Sequence, residues 1–239
     1  MTAKLISFSN PINTNLNSNS NCDNNNESLE DLVCYCARVS NPSNQNITDN
    51  NKNDKLLRYL ITNLHWSPFE MVSICLEIVT TRDIARQILR HRSFSFQEFS
   101  QRYAVVDSSF EVRECRLQDM KNRQNSIKLV KDGTGHECDI QNKQLIDEWR
   151  EKQTEIFEKV RDTYDWAINN GIAKEQARAI LPEGNTPSRM YMNGTLRSWI
   201  HYIQLRSGNG TQEEHRIIAI ECAKAIGPIF PMITEFVSI

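Results

Sequence analysis

Arginine is concentrated in one short stretch of this chain. The run Arg90-His91-Arg92-Ser93-Phe94-Ser95-Phe96-Gln97-Glu98-Phe99-Ser100-Gln101-Arg102 sets three guanidinium groups among hydroxyls, amides and a carboxylate. Arg82 and Arg86 precede Arg90 at intervals of four, so a helix stacks all three on one face. Like charges stacked this way repel, and either carboxylates or a bound anion must compensate. Guanidinium offers a planar fork of donors that suits phosphate. Arg90, Arg92 and Arg102 can therefore hold a phosphate monoester or a pyrophosphate. Ser93 and Ser100 add hydroxyl donors, and Glu98 can accept from a base or a sugar. Taken alone, the same residues also fit a solvated basic helix face followed by a surface loop. Ser100 has no base and orienting partner evident beside it, so it reads as a binding residue, not a nucleophile.

The elements that must position this stretch follow from periodicity. Leu29 to Val39 carries apolar residues at helical spacing. Asp54 can cap a helix through about His65, with Leu56, Leu57, Leu60, Ile61 and Leu64 on one face, and Pro68 breaks the pattern. Val72, Ile74, Leu76 and Ile78 alternate with Ser73, Cys75, Glu77 and Val79, which predicts a strand. Thr80 or Thr81 caps the next helix. Tyr103 to Val106 predicts a second strand, with Phe110 to Val112 extending it. A long helix is expected over about Asp139–Asn169, with Leu145, Trp149, Ile156, Val160, Tyr164 and Ile168 as its buried stripe and Gly171 as its stop. Shorter helices are expected at Lys174–Leu181, around Thr195–Leu205 and over Thr211–Ile226. Asn13–Asn26 and Asn41–Asn53 are too polar to order themselves by burial, and Asn122–Asp139 reads as a further polar insertion. The sum is an α+β fold, a modest antiparallel or mixed sheet flanked by helices, in a single domain over 1–239.

Bulk properties exclude several classes. A chain of 239 residues with 39% hydrophobic and 24% charged residues can bury a proper core. A net charge of −2 provides no global basic field for nucleic acid. No apolar run reaches the ~18 residues that span a bilayer, and the N-terminus lacks the pattern of a secretory signal. Seven cysteines without regular spacing suggest reduced thiols in a cytoplasmic protein. His136, Cys138 and Cys115 lack a clean fourth ligand, so no metal site is expected. Glycine is scarce and no Gly-x-Gly-x-x-Gly follows a strand, which argues against a Rossmann dinucleotide site.

The spacing Arg-His-Arg, seven residues, Ser100, one residue, Arg102 resembles the signature of flavin-dependent thymidylate synthases. Other blocks resemble the same family in the same order. They are Ala37-Arg38-Val39-Ser40, His65-Trp66-Ser67-Pro68-Phe69-Glu70, Glu175-Gln176-Ala177-Arg178 with Leu181-Pro182, and Leu196-Arg197-Ser198 through Leu205-Arg206. The resemblance implies the thymidylate synthase-complementing-protein-like fold. It also implies conversion of dUMP to dTMP, with methylenetetrahydrofolate as carbon donor, FAD as cofactor and NADPH as reductant. It implies a homotetramer with shared active sites, and neither nucleic acid nor membrane as partner.

Carried over residue by residue, the resemblance gives FAD contacts to His65, Ser67, Arg90, His91, Arg92, Glu98, Thr195, Leu196, Arg197 and His201. Relatives often have Asn at the positions of Thr195 and His201. For dUMP the matching positions are Gln87, Ile88, Leu89, Arg90, Glu98, Phe99, Ser100, Gln101, Arg102, Arg178 and Arg206. Arg206 is the catalytic candidate, matching the arginine that polarises the uracil. It also suits a helix C-terminus as a plain cation. Relatives often carry a His near Gly210 that this chain lacks. His215, one helical turn further on, receives no catalytic role. No cysteine lies in the motif, so the cysteine nucleophile of the classical thymidylate synthases has no counterpart there. A nucleic-acid binder, a relative without activity and an enzyme for another pyrimidine nucleotide remain as alternatives at this point.

Overall fold

The structure is a computed structural model that describes residues 1–10, 29–45, 47, 49–107, 109–129 and 137–238. The expected insertion over Asn13–Asn26 lies outside the described residues. A four-stranded antiparallel sheet organises the fold. Its strands are β1 (Thr2–Phe8), β2 (Ser73–Thr81), β3 (Phe94–Glu98) and, far along the chain, Pro187–Thr195, in the order β1, β2, Pro187–Thr195, β3. The helices are α1 (Leu29–Ala37), α2 (Asn50–Thr62) and α3 (Arg82–Ile88). A small hairpin of β4 (Arg116–Gln118) and β5 (Ser126–Lys128) precedes α4 (Glu137–Asn169) and α5 (Lys174–Ala177). Pro187–Thr195 is then β6, followed by α6 (Leu196–Arg206) and α7 (Glu213–Ile226).

The alternation predicted for β2 is observed, with Ile74, Leu76 and Ile78 fully buried. Met190 and Met192 of β6 and Phe94 of β3 continue that apolar face. Trp199, Ile200 and Ile203 of α6, with Ile218 and Cys222 of α7, complete the same core. The Trp199 indole N–H donates to the carbonyl of Ile74 at 3.0 Å, so the largest core side chain also satisfies its polar atom. Gly194 lies directly under the Phe94 ring, where an added Cβ would overlap the ring carbons.

Several elements differ from the sequence expectation. The strand expected at Tyr103–Val106 is a turn, in which Tyr103 and Ala104 N–H groups both donate to the Ser100 carbonyl. Tyr103 and Val105 are exposed, and Val106 is held because its N–H donates to the buried Tyr164 hydroxyl. Phe110–Val112 is not a strand either. β3 lies instead inside the arginine-rich run, and β1 and β6 lie where no strand was expected. Pro187 is tolerated because it is the first residue of β6, opposite Thr81.

α2 begins earlier than Asp54. Asp49 caps it by accepting from the N–H groups of Asn51 and Lys52. Asn53 is buried, accepting from Arg38 and donating to Asp31, each at 2.6 Å, so the end of the second Asn-rich segment is anchored to α1. The polar stretch 122–139 includes β5 and the first turn of α4; residues 130–136 lie outside the described residues. Along α4 the buried positions are Gln153, Phe157, Tyr164 and Ala167, whereas Leu145, Trp149 and Ile156 of the expected stripe are exposed. α4 ends as expected at Gly171, whose φ is +75°. There the Ile172 N–H bonds the Ala167 carbonyl and the Gly171 N–H bonds that of Ile168, the paired bonds of a Schellman ending. No described helix is long and apolar enough to cross a membrane.

Candidate active site

The repulsion anticipated along α3 is relieved by carboxylates. Glu98 of β3 lies 3.6 Å from Arg82 and 3.1 Å from Arg86, and it accepts from Ser188 at 2.8 Å. Arg86 reaches Glu183 as well, at 3.2 Å. Glu98 thus belongs to an arginine clamp, and only its remaining lone pairs can meet a ligand. Arg90 lies beyond the helix end, and Arg90 and Arg92 are both exposed. Neither has a carboxylate partner among the described residues, which leaves two guanidinium groups open to an anion.

His91 turns inward. The Arg206 Nε–H donates to His91 Nε2 at 2.9 Å, and the ring stands edge-on to Tyr202 with centroids 4.9 Å apart. Burial, and then the charges of Arg206 and Arg90, push the His91 pKa down to about 4. A neutral imidazole is what the geometry needs, since only an unprotonated Nε2 can accept from arginine. His215 of α7 is fully buried beside it, and burial, then Arg206 and His91, push its pKa down to about 3. Its Nδ1 lies 3.1 Å from Gln87 Oε1 and its Nε2 3.1 Å from the Tyr202 hydroxyl. Gln87 in turn donates to Gln212 at 2.7 Å, and Gln212 to Glu214 at 3.0 Å. Burial keeps the Tyr202 phenol protonated.

The depressed histidine pKa values carry a sign for stability. The unfolded chain protonates these rings near 6.5, while the folded chain resists protonation down to about 4 at His91. The unfolded state then binds more protons in that window, so stability is present above 6.5 and is lost as pH falls toward 4. A thermal denaturation series across this range is expected to show a falling midpoint, and a flat profile would contradict the neutral cluster.

A second group of residues sits around the start of α6. His65, Ser67 and Arg197 line a cleft of about 710 Å³, together with Trp66, Pro68 and Met71. Arg197 is paired with Glu70, and Trp66 meets His201 edge-on at 4.7 Å. Thr195 caps α6 by accepting from the Ser198 N–H, and Ser198 reaches the Ser93 carbonyl at 3.4 Å. Burial, then Arg197, lowers the His201 pKa. Leu196 is a core side chain, and its N–H donates to Val72. Ile88 is likewise buried, and Phe99 packs with Val106, Tyr164 and Ala177.

The Ser100–Arg102 turn follows β3. Arg102 lies 3.6 Å from Glu175, and its N–H donates to Ser100 Oγ at 3.4 Å. Gln101 is buried, and its amide nitrogen has no hydrogen-bond partner among the described residues. An orphaned buried donor is costly. Arg178 is half-exposed after α5.

The structure therefore brings Gln87, His91 and Arg206 into one cluster, and His65, Ser67, Arg197 and His201 into a second region. Arg90, His91 and Arg92 are not among the residues lining the cleft. Sequence reasoning missed Tyr202, Gln212 and the part played by His215. The signal available was a His, Gln and Glu within one turn of the start of α7.

Comparison with solved structures gives the fold first. The UMP/dUMP methylase PolB from Streptomyces cacaoi, solved with 5-Br dUMP, matches with a TM-score of 0.74 at 24% identity, over 98% of this chain and 93% of that one. The same protein bound with 5-Br UMP matches at a TM-score of 0.73. The sequence gives the family. The model of the thymidylate synthase complementing protein matches residues 24–232. A probable flavin-dependent thymidylate synthase of Paramecium bursaria Chlorella virus 1 is 44% identical over 98% of both chains. The flavin-dependent thymidylate synthase of a Synechocystis species is 47% identical over 86% of this chain and 88% of its own. This chain belongs to the flavin-dependent thymidylate synthase family.

Proposed function

We propose that this chain methylates dUMP to dTMP, taking the carbon from methylenetetrahydrofolate, with FAD as redox cofactor and NADPH as reductant. The observation that carries this reading is the Arg206 guanidinium held on a neutral His91, in a chain of this family. One nitrogen of Arg206 is spent on His91. Its other donors make no ion pair among the described residues, so they are available to a uracil carbonyl. A fixed cation there stabilises negative charge as it develops on the ring and makes C5 nucleophilic. Burial holds Cys34, Cys36, Cys75 and Cys222 as thiols, which disfavours these four as nucleophiles.

The residues present fit FAD. Arg90 and Arg92, without carboxylate partners among the described residues, would supply cations for its diphosphate, and His65, Ser67 and Arg197 line a cleft with apolar walls. When bound, the flavin supplies the hydride that completes the methyl group. His65 and His201 would orient it, with Thr195 and Leu196 contributing through the start of α6. For dUMP, Ser100, Gln101 and Arg102 would take the phosphate, with Arg178 beside them. Gln87 and Glu98 would take the base or sugar, Leu89 and Phe99 would shape the walls, and Ile88 would act from the core beneath them.

The chain would act as one domain over 1–239 and as a cytoplasmic homotetramer. The separation of the cleft from the Arg90–Arg92 corner supports a site completed by neighbouring copies, and exposed Leu145, Trp149 and Ile156 on α4 offer apolar contact area. Tritium release from dUMP labelled at C5 tests the activity. Release is expected only with FAD, NADPH and methylenetetrahydrofolate all present. A folded, flavin-bound protein that releases none would move the function to another nucleotide or to a relative without activity.

A further inference from the structure

We propose that His215 is a positioning residue for the substrate: through a one-way chain of hydrogen bonds anchored on Glu214, it fixes the Gln87 carboxamide in the cluster that holds His91 and Arg206. The direction of the chain follows from its end. Glu214 can only accept, so Gln212 presents its amide nitrogen there, at 3.0 Å, and turns its oxygen to Gln87. Gln87 must then donate to Gln212, at 2.7 Å, and turn its own oxygen to His215. Oxygen facing Nδ1 requires the proton on Nδ1, which leaves Nε2 to accept from the Tyr202 hydroxyl. Five side chains from α3, α6, α7 and the residue before α7 thus adopt one mutually consistent orientation.

Glu214 is fit for the anchoring end. Burial works against its charge, but its own N–H, Gln212, Arg116 and Arg113 outweigh burial and hold its carboxyl below the usual range. At the other end, Tyr202 is fully buried, and its ring contacts both His91 and His215, so the chain is tied to the ring that receives Arg206. Gln87 is half-exposed, and without its two partners its side chain would sample many rotamers. With them, it keeps one N–H and one oxygen lone pair for a ligand. These are the complementary pair that an adjacent C=O and N–H of a pyrimidine require. A pre-oriented amide loses less entropy on binding than a free one.

The inference rests on the reading of dUMP as substrate and Gln87 as its contact. The test is calorimetric titration of the FAD-loaded protein with dUMP, alongside steady-state KM and kcat. Relative to wild type, His215→Leu deletes both ring bonds at similar volume and is expected to weaken dUMP by about tenfold. The loss should appear in KM, with kcat changed by about twofold or less and flavin content unchanged. His215→Asn replaces Nδ1–H by an amide donor and is expected to recover affinity to within about threefold of wild type. Equal affinity in wild type and His215→Leu, or equal loss in both variants, would overturn the proposal, since either result reduces His215 to packing. Should His215→Leu fail to fold, Gln212→Leu, at an exposed position, interrupts the same chain. A several-fold loss there supports the inference and an unchanged affinity overturns it. Wild type that binds FAD but not dUMP would overturn the substrate reading along with this one, whereas failure of the relay alone leaves wild-type binding intact.

Discussion

Arg206→Ala is expected to lower the rate of tritium release from C5-labelled dUMP by about 10²–10³-fold, with flavin binding and oligomer size retained. The magnitude is that of removing one pre-organised donor aimed at developing charge. The fold should survive because Arg206 is the last residue of α6 and is half-exposed. Its described hydrogen bond is to a histidine, not to a carboxylate that would be stranded. Losing this charge also removes one cause of the depressed His91 pKa, the second after burial. NMR titration of the His91 ring should therefore show a rise, though not to the usual value, since burial persists. Arg206→Lys should fall between the two proteins: it restores a cation but not the planar fork that serves His91 and a carbonyl together. Wild-type turnover in a folded Arg206→Ala protein would remove Arg206 from the chemistry.

Elements whose periodicity matched their surroundings were legible in the sequence. β2 alternates because one face meets the core, and α6 starts just after Thr195 because that hydroxyl caps the helix. β6 was hidden by its composition. Pro187, Asn193 and Gly194 resemble turn residues, yet Pro187 begins the strand and Gly194 gives room to the Phe94 ring. β3 was hidden by its chemistry, since Ser95 and Gln97 alternate with Phe94 and Phe96 inside a run that drew attention as a phosphate site. Tyr103–Val106 looked like a strand because it is apolar, but Tyr103 and Val105 point away from the core.

The contiguous motif made the candidate site easiest to pick out, and Arg90 and Arg92 have no carboxylate partner among the described residues. The site was less legible where partners come from distant segments. Glu98 meets Arg82 and Arg86 across a turn, and Gln87 meets His215 across 128 positions. No local pattern encodes such closures. They arise once α3 and α7 pack on the same sheet, and the buried polar atoms must then find each other.

Glu214→Ala should destabilise the fold strongly, costing about 3–5 kcal/mol. Glu214 is 9% exposed in its side chain and faces Arg113 at 3.4 Å and Arg116 in closer contact, which are 16% and 11% exposed. At that burial, solvent screens the cluster weakly, and removing its acid leaves two cations with reduced compensation. Arg113 keeps Asp83 at 2.7 Å, together with Thr81 and the Gly184 carbonyl. Among the described residues Arg116 keeps only the exposed Glu114, at 3.9 Å, so most of the penalty should fall on Arg116. Arg116→Met paired with Glu214→Leu removes both charges and should recover much of the loss, because an apolar pair of similar volume needs no desolvated partner. Urea denaturation of the single and double variants at neutral pH measures this directly. Additive losses in the double variant would show that Arg116 and Glu214 do not interact, and would remove Arg116 from the groups that offset the burial of Glu214.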